Sequence, residues 1–275
     1  MSRKRETSQM TNIVVKTALA FAIASSVALP ALAEDVLRIG MTPEPYLPFG
    51  QVNAAGEWEG IEADITHALC ERMQVKCEIS AMAFDGLLPA LKENKLDVAV
   101  GAFSITDERK QTVDFSASYY TEGTSLVGPK SEAVTVGTAD APDGSKILDP
   151  KTFEGKIVGV QASTVQHQYL TKYYPDAEVK AYDTADNSMA DLAAGRIDFV
   201  LSPDLYLHTF LATPQGADFD IKAAAPDNKV LGEGVGYVVK KGDAATLKKV
   251  DDALASIKAD GTLDKSIARW VDGVK

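Results

Sequence analysis

The sequence contains few of the residues from which metal sites are built, and no apolar run long enough to cross a bilayer. Only 2 of the 275 residues are cysteine and only 3 are histidine. His67, His167 and His208 show no ligand spacing with one another or with the cysteines, so we expect no metal and no other cofactor. No segment after residue 33 approaches the roughly 18 apolar residues of a spanning helix.

Basic residues are in the minority. Lys and Arg number 28 against 39 Asp and Glu, which gives a formal net charge of −11 at pH 7. Nucleic acids and anionic membrane surfaces are bound by basic faces, so this balance argues against both as partners. It leaves a small ligand open, and a hydrophobic content of 45% is typical of a globular protein.

Residues 1–33 are typical of a secretory signal. Four cations precede an apolar run at 17–29, and Ala31-Leu32-Ala33 forms a small-residue cleavage site. Cleavage lowers Lys plus Arg from 28 to 24 and Asp plus Glu from 39 to 38, so the net charge becomes −14. We expect a soluble, exported protein, with a retained membrane anchor as the alternative. The remaining length suits one large domain or two ordinary ones.

The two cysteines lie close together in the sequence. Cys70 falls in a predicted amphipathic helix and Cys77 opens the strand that follows. In an oxidising compartment this pair can link the helix end to the strand as a disulfide. The alternative is two unrelated free thiols.

Residues 84–109 are the most informative stretch of the chain. Leucines at 87, 88 and 91 predict an amphipathic helix that stops at Asn94, and residues 96–100 then alternate as in a half-buried strand. The strand ends in the small residues 101–104, and Thr106-Asp107 predicts a helix cap. Ligands of open α/β sheets bind at such carboxyl ends.

Arg109 falls in the first turn of the helix after this cap, where the helix dipole disfavours a cation. A ligand carboxylate held by the guanidinium and by backbone amides would explain this placement. The alternative is a solvated surface arginine.

A similar pattern of residues occurs twice. Leu91-x-x-Asn94-Lys95-Leu96-Asp97-x-x-Val100 returns about a hundred residues later as Leu192-x-x-Gly195-Arg196-Ile197-Asp198-x-x-Leu201. Each copy is a helix, an Asn or Gly stop, one cation and a strand. The repeat favours two similar α/β lobes with a cleft between them.

The second copy belongs to a further α/β run. A strand at 156–161 leads into Ser163-Thr164 and a helix, which is an anion-receiving arrangement; simple capping by Ser163 is the alternative. Asp204 starts a later helix and lies either in the cleft or in an ordinary first turn. Residues 230–239 predict a strand, followed by a long helix at 244–259 and a short one, both packing on the first lobe.

Several segments together carry a specific resemblance to a known family. They are Cys70–Cys77, Phe84–Pro89, Ser104–Arg109, Asp114–Ser116 with Tyr119-Tyr120, and Ala193–Asp198. Over residues 34–275 the chain resembles the polar amino-acid-binding family of periplasmic solute-binding proteins, which serve ABC importers. The bracketing cysteines resemble those of the lysine/arginine/ornithine- and opine-binding members.

This resemblance implies a two-lobe periplasmic binding protein fold that closes on an amino acid. Lobe 1 would be discontinuous, comprising residues 34–122 and 235–275, and lobe 2 would comprise 127–228. The two hinge crossings would lie at 123–126 and 229–234. We expect a periplasmic monomer that captures a polar, basic amino acid or an opine-like derivative and delivers it to an ABC transporter permease.

The resemblance also implies the site residues. Arg109 would bind the α-carboxylate with the help of Ser104, Ser163 and Thr164. The carbonyl of Ala102, and that of Gly101, would accept hydrogen bonds from the α-ammonium. Tyr46 and Phe84 would sandwich the side chain, where a cation is favoured; each could instead be an ordinary core residue.

One position departs from the family pattern. Family members place an aspartate after the strand at 197–202, where it pairs with the α-ammonium; here Pro203 aligns with it and Asp204 lies one residue further on. Either the backbone shifts to let Asp204 serve, or the amine is recognised differently, as in an opine. Glu44 and Glu62 could meet a basic side chain, although we expect both to be solvated.

Two other classes of function share this fold. Periplasmic cyclohexadienyl dehydratases need a general acid with a raised pKa in the cleft, and the sequence isolates no such acid. A Ser-His-Asp order and a Gly-rich phosphate loop are also missing, so we expect no catalytic residues. A receptor's ligand-sensing module would normally be tethered to a membrane helix or a signalling domain, and we recognise neither.

Overall fold

The computed structural model describes residues 36–272, so the signal predicted for residues 1–33 lies outside the described residues. Within the described range the chain forms two lobes, each built around a five-stranded sheet. This arrangement confirms the predicted two-lobe α/β fold.

The first lobe takes its elements from both ends of the described chain. They are β1 (Val36–Met41), β2 (Gln51–Val52), β3 (Trp58–Glu59), α1 (Ile61–Met73), β4 (Lys76–Ala81), α2 (Phe84–Lys92), β5 (Val98–Val100), α3 (Asp107–Lys110) and β6 (Val113–Phe115). The sheet is completed later in the chain by β14 (Val238–Lys240), and α7 (Ala244–Ala259) and α8 (Thr262–Val271) follow it. The strand order is β4-β1-β5-β14-β6, with β1 parallel to β4 and β5, and β14 antiparallel to β5 and β6.

The second lobe lies between these two parts of the first in the sequence. Its elements are β7 (Thr124–Pro129), β8 (Thr138–Asp140), β9 (Lys146–Leu148), β10 (Ile157–Gln161), α4 (Val165–Tyr173), β11 (Glu178–Tyr182), α5 (Ala185–Ala193), β12 (Phe199–Pro203), α6 (Asp204–Leu211) and β13 (Phe219–Ala224), with short 3-10 turns at Pro150–Phe153 and Pro214–Gly216. The order is β11-β10-β12-β7-β13, with β10 parallel to β11 and β12, and β7 antiparallel to β12 and β13. The hinge positions and exact lobe boundaries stay a prediction.

The repeated sequence pattern occupies equivalent places in the two lobes. Helix α2 leads into β5 at the centre of the first sheet, and α5 leads into β12 at the centre of the second. Both helices are followed by a residue in the left-handed region, Asn94 with φ 59° and Gly195 with φ 65°. Because the chain reverses the same way in each lobe, the carboxyl ends of the central strands occupy matching positions.

The expectation that strand 96–100 is half-buried is wrong. Val98, Ala99 and Val100 are all buried, with Ala99 fully enclosed. One face of β5 packs in the cluster that includes Leu87 of α2, and the other packs in the cluster that includes residues of α1, α7 and α8. Helices from distant parts of the sequence therefore cover both faces, as in a parallel sheet.

The prediction of one strand over residues 230–239 is also wrong, because pairing in a strand begins only at Val238. Gly232 and Gly234 have φ values of 92° and 125°, which side-chain-bearing residues rarely adopt. A Cβ on Gly234 would lie 2.5 Å from the Ser118 hydroxyl. Directly after these glycines, Val235 bridges to both Ser104 and Tyr120.

The cysteines form the predicted disulfide, Cys70–Cys77, which joins the end of α1 to β4. The alternative of two free thiols is thereby excluded for this structure.

Candidate functional site

A cleft opens where the carboxyl ends of the central strands of both lobes meet. The first lobe contributes the segments that follow β1 and β5, and the second contributes those that follow β10, β11 and β12. The lining residues are Thr42, Glu44, Pro45, Tyr46, Phe84, Gly101, Ala102, Ser104, Arg109, Glu122, Gly123, Thr124, Gln161, Thr164, Val165, Gln166, Thr184, Ala185, Pro203, Leu231, Gly234 and Val235. This is the position at which α/β sheets bind ligands.

Most of the sequence-predicted site residues lie at this cleft. Those in its lining are Tyr46, Phe84, Gly101, Ala102, Ser104, Arg109 and Thr164. Ser163 contacts Arg109 through its backbone carbonyl. Asp204 is not part of the lining; it borders a neighbouring pocket together with Tyr120 and His208. Which ligand groups these residues bind stays a prediction.

Arg109 is buried at the junction of the two lobes, with 7% of its surface exposed. The Thr106 hydroxyl accepts a hydrogen bond from the Arg109 backbone N–H at 3.2 Å and thereby starts α3. The guanidinium donates to the carbonyl oxygens of Ser104 at 3.0 Å and Ser163 at 3.1 Å, and it lies 5.4 Å from the centre of the Phe103 ring. The alternative of a solvated surface arginine is therefore wrong.

The charge of Arg109 is not neutralised by an ion pair with any residue between 36 and 272. Burial lowers the pKa of Arg109 to about 10, so the guanidinium still carries its charge at pH 7. A buried cation that donates to neutral carbonyls is costly unless an anion joins it. The site therefore suits a ligand carboxylate, which guanidinium binds strongly.

The start of α4 adds a second anion-receiving feature beside Arg109. Thr164, not Ser163, caps this helix: its hydroxyl accepts from the backbone N–H of His167 at 3.1 Å and donates to the Gln161 carbonyl at 2.7 Å. Ser163 adopts φ 63°, which turns the chain sharply between β10 and α4. The alternative of simple capping by Ser163 is therefore wrong, and the nine-residue helix begins at the cleft wall.

Glu62 supports the floor of the cleft from α1. Its carboxylate accepts hydrogen bonds from the backbone N–H of Ala102 at 2.7 Å and from the hydroxyl of Tyr119. Only 3% of Glu62 is exposed, so the expectation that it is solvated is wrong. Because Ala102 has φ 47°, this carboxylate fixes the strained exit from β5 that leads to Ser104.

Two aromatic side chains line the cleft and also pack against other rings. Tyr46 stacks on Phe49 with a centroid distance of 5.8 Å, and on Tyr206 of the second lobe at 5.2 Å with 12° between the planes. Phe84 stacks on Phe103 at 4.7 Å. Each ring therefore combines a cleft surface with a packing role, and the Tyr46–Tyr206 pair joins the two lobes.

The cleft lining holds two carboxylates besides the Arg109 cation. Glu44 is half-buried, and its Oε2 atom makes no hydrogen bond within the described chain; the nearby Thr42 hydroxyl is likewise buried without a partner. Burial, with a smaller effect of Asp85, raises the pKa of Glu44. Glu44 Oε2 and the Thr42 hydroxyl oxygen are thus available to a donor on a ligand.

Glu122 is the second acid, and the sequence reasoning missed it. Its Oε1 accepts a hydrogen bond from the backbone N–H of Leu205 at 2.9 Å. Burial raises the pKa of Glu122 to about 8, with further contributions from the charges of Asp204 and Glu62. The available sequence signal was its place directly before Gly123, at a predicted hinge.

Asp204 lies behind this wall of the cleft. Its backbone N–H donates to the Gly123 carbonyl at 3.1 Å, and its side chain packs so closely that a Cβ on Gly123 would lie 2.2 Å from Oδ2. Its Oδ1 atom is buried without a hydrogen-bond partner in the described chain.

The part of the chain that the structure describes contains neither a metal-binding cluster nor a helix suited to span a bilayer. Across residues 36–272 no grouping of His, Cys, Asp and Glu is arranged to hold a metal ion. Over the same range no helix combines the length and apolar character needed to span a bilayer.

Comparison with known proteins identifies the family. The family model for bacterial extracellular solute-binding proteins, family 3, matches residues 37–273. The chain is 34% identical over 258 residues to the lysine/arginine/ornithine-binding periplasmic protein of Escherichia coli K12, covering 92% of this chain and 93% of that one. It is 36% identical over 253 residues to the L-arginine-binding protein of Pseudomonas aeruginosa, covering 90% and 92%.

Comparison with a solved structure shows that the fold is also similar to that of an amino-acid-binding protein. An ancestral arginine-binding protein bound to arginine superposes with a TM-score of 0.74 at 31% identity, covering 86% of this chain and 97% of that one. The family match spans almost the whole described chain and agrees with its two-lobe architecture and cleft. The chain therefore belongs to the bacterial extracellular solute-binding proteins of family 3.

Proposed function

We propose that this protein captures a basic amino acid, or an opine-like derivative of one, and delivers it to the permease of an ABC importer. The observation that carries the proposal is the buried guanidinium of Arg109, which faces a cleft between two lobes and forms no ion pair within residues 36–272. The relatives named for lysine, arginine and ornithine and for L-arginine support the same ligand class.

The ligand's α-carboxylate binds Arg109 in this proposal. The start of α4 at Thr164 adds backbone amide groups on the second lobe, and Ser104 and Ser163 lie on either side of the guanidinium. Groups from both lobes therefore hold one carboxylate. A ligand bound this way favours the closed arrangement, because the full set of contacts exists only there.

The ligand's side chain extends toward Phe84 and Tyr46, and a cation at its end meets Glu44 and Thr42. Glu44 Oε2 and the Thr42 hydroxyl, which have no partner among residues 36–272, support this orientation, because each can accept a hydrogen bond from an ammonium or guanidinium group. The aromatic rings favour the same charge through cation–π attraction. The carbonyls of Gly101 and Ala102 would accept from the α-ammonium near the opposite end.

The transport cycle follows from two lobes and two crossings. We place the hinges at 123–126 and 229–234 and expect a monomer whose closed form docks on the permease. We also place the protein in the periplasm, reached through the signal at residues 1–33; the periplasmic relatives support this location.

A second candidate function is favoured by one observation. The carboxyl of Glu122 in the cleft has a raised pKa of about 8, which is the property that a cyclohexadienyl dehydratase-like general acid requires. The close binding-protein relatives weigh against this candidate. Incubation with prephenate and arogenate, followed by chromatography of the aromatic products, tests it directly; formation of phenylpyruvate or phenylalanine above the buffer rate would establish turnover.

Thermal unfolding with a ligand panel tests the main proposal. The purified protein is stripped of bound ligand by denaturation and refolding, then heated with arginine, lysine, ornithine, histidine, glutamine, glutamate, octopine or nopaline. A ligand at 100 times its Kd adds about 2.7 kcal/mol to the free energy of unfolding, which is a readily measured shift. A large shift with a basic amino acid or an opine is expected, and no shift with any of these compounds would overturn the proposal.

A further inference from the structure

Glu122 occupies a distinctive place in the wall of the cleft. Two residues after it, Thr124 begins β7 and lies directly opposite Pro203 at the end of β12. The Glu122 carboxylate accepts a hydrogen bond from the backbone N–H of Leu205, two residues after Pro203, at 2.9 Å. It therefore stands at the point where two strands of the second lobe meet the cleft, and within residues 36–272 the Leu205 N–H is the one donor to its carboxylate, which can accept further hydrogen bonds.

The two acids of the cleft lie in different surroundings. Glu44 lies two residues before Tyr46, in the segment that follows β1. Glu122 lies two residues after Tyr120, and Val235 bridges to both Tyr120 and Ser104. The chain at Glu122 therefore runs beside the exit of β5, which carries Ala102 and Ser104, whereas Glu44 belongs to the segment that carries Tyr46.

From this arrangement we infer that Glu122 binds the α-ammonium group of the ligand and releases a proton to solvent as it does so. The inference rests on the proposed function, since it presumes a ligand whose carboxylate is on Arg109. The ammonium group keeps its three protons. The proton that is released comes from the Glu122 carboxyl. Of the two acids at this wall, Glu122 is part of the cleft lining, whereas the Asp204 side chain packs against Gly123 and borders the neighbouring pocket.

The groups around Glu122 explain why a proton is involved. Burial and the acids Asp204 and Glu62 raise the pKa of Glu122 to about 8, so the empty site holds a neutral carboxyl at pH 7. An ammonium in contact with it favours the ionised form. The titratable and charged groups from the elements near Glu122 are Glu62, Tyr46, Tyr119 and Tyr120 in the first lobe, Asp204 and His208 on α6, and Arg109 across the cleft.

Calorimetry with L-arginine measures the proton directly. Titrations at pH 7 in phosphate and in Tris, which differ in ionisation enthalpy, give the number of protons released. Wild type should release a fraction approaching one proton, and its affinity should rise with pH up to about 8. Glu122→Gln keeps an amide oxygen for the Leu205 N–H, so it should fold; it should release no proton and bind L-arginine about 10- to 100-fold more weakly at pH 8.5.

An analogue without the α-ammonium shows which ligand group is involved. 5-Guanidinopentanoate keeps the carboxylate and guanidinium of arginine but has no α-nitrogen. Wild type should prefer arginine by about 10- to 100-fold, and Glu122→Gln should reduce that preference to about threefold or less. Glu44→Gln is the matched control in the same cleft: it should weaken binding of both compounds and leave the preference and the proton release unchanged.

The outcomes separate this inference from the function on which it rests. If wild type binds L-arginine and Glu122→Gln keeps both the preference and the proton release, the assignment of the ammonium to Glu122 is wrong while the proposed function stands. If wild type binds neither L-arginine nor any other member of the ligand panel, the proposed function fails, and this inference fails with it.

Discussion

The Arg109 side chain donates a hydrogen bond from Nη2 to the carbonyl oxygen of Ser163 at 3.1 Å, and this bond joins the two lobes. The same guanidinium donates from Nη1 to Ser104 at 3.0 Å. One buried cation therefore spans from the exit of β5 to the exit of β10, with the cleft alongside. The side chain that links the lobes is therefore also the one to which the proposed function assigns the ligand's carboxylate.

Arg109→Ala should lower the affinity for a carboxylate-bearing ligand by at least about 100-fold, because it removes a buried charge-assisted contact. The free energy of unfolding without ligand should change by no more than about 1 kcal/mol, since the buried guanidinium lacks a counter-ion in the described chain. Calorimetry and urea unfolding measure the two quantities. Arg196→Ala removes an exposed arginine paired with Asp191 and should leave affinity unchanged. Affinity of Arg109→Ala within threefold of wild type would exclude the carboxylate role.

Glu44→Gln should alter selectivity between side chains. It should weaken arginine binding by about 10-fold and leave glutamine binding nearly unchanged, because only the charged side chain gains from the Glu44 carboxylate. Competition calorimetry with the two amino acids measures the ratio. Glu57→Gln, at an exposed position, is the control with the same chemical change. An equal loss for arginine and glutamine would mean that Glu44 does not contact the side chain.

Tyr206→Leu should lower ligand affinity by about 3- to 10-fold without changing any residue in the cleft lining. The Tyr46–Tyr206 stack joins the lobes at a centroid distance of 5.2 Å, and such a pair contributes about 0.5–1.5 kcal/mol. Tyr206→Phe keeps the ring and loses only the 2.5 Å hydrogen bond to Asp186, so it should bind nearly as wild type does. Isothermal titration of both variants measures the difference. Equal affinity in Tyr206→Leu and wild type would show that the stack does not stabilise the closed form.

Glu122 should make the ligand-free protein less stable as the pH rises. Its pKa of about 8 in the folded state lies above the usual value of about 4.3, so unfolding releases a proton between these limits. Stability associated with Glu122 is therefore fully present below about pH 4 and is lost progressively up to about pH 8.

Glu122→Gln removes this titration and should therefore be more stable than wild type at pH 8. We expect a difference on the order of 2 kcal/mol. This is less than the free energy that corresponds to the whole pKa difference, because Glu122 lies at the cleft. Urea unfolding of both proteins at pH 5 and pH 8 gives the difference. Glu154→Gln, at an exposed position, should show no such dependence. A gap between Glu122→Gln and wild type that does not widen from pH 5 to pH 8 would contradict the raised pKa.

Local patterns in the sequence were sufficient for much of the fold. The helix expected at residues 244–259 has those bounds, because its apolar spacing and its following glycine are both local signals. The cap at Thr106 and the position of Arg109 in the next turn were likewise readable from a few neighbouring residues. The sequence repeat also predicted two lobes with matching central strands, which the sheet order confirms.

Burial in this protein depended on residues far apart in the chain. Strand β5 is covered on both faces because α7 and α8, more than 140 residues later, pack with α1 against the sheet. Glu62 is buried because Tyr119 and Ala102 surround its carboxylate. The alternation of apolar and polar residues along one strand does not show which distant helices will cover that strand.

Local sequence patterns were enough to predict the two lobes, the local turns and the cation at the cleft, because these depend on contacts among near neighbours. Which acids face the cleft is evident from the folded chain alone. Glu122 accepts the backbone N–H of Leu205, 83 residues away, whereas Asp204 turns against Gly123 behind the wall. Electrostatics act through space, so the ionisation of a carboxyl is set by neighbours that the linear order of residues does not reveal.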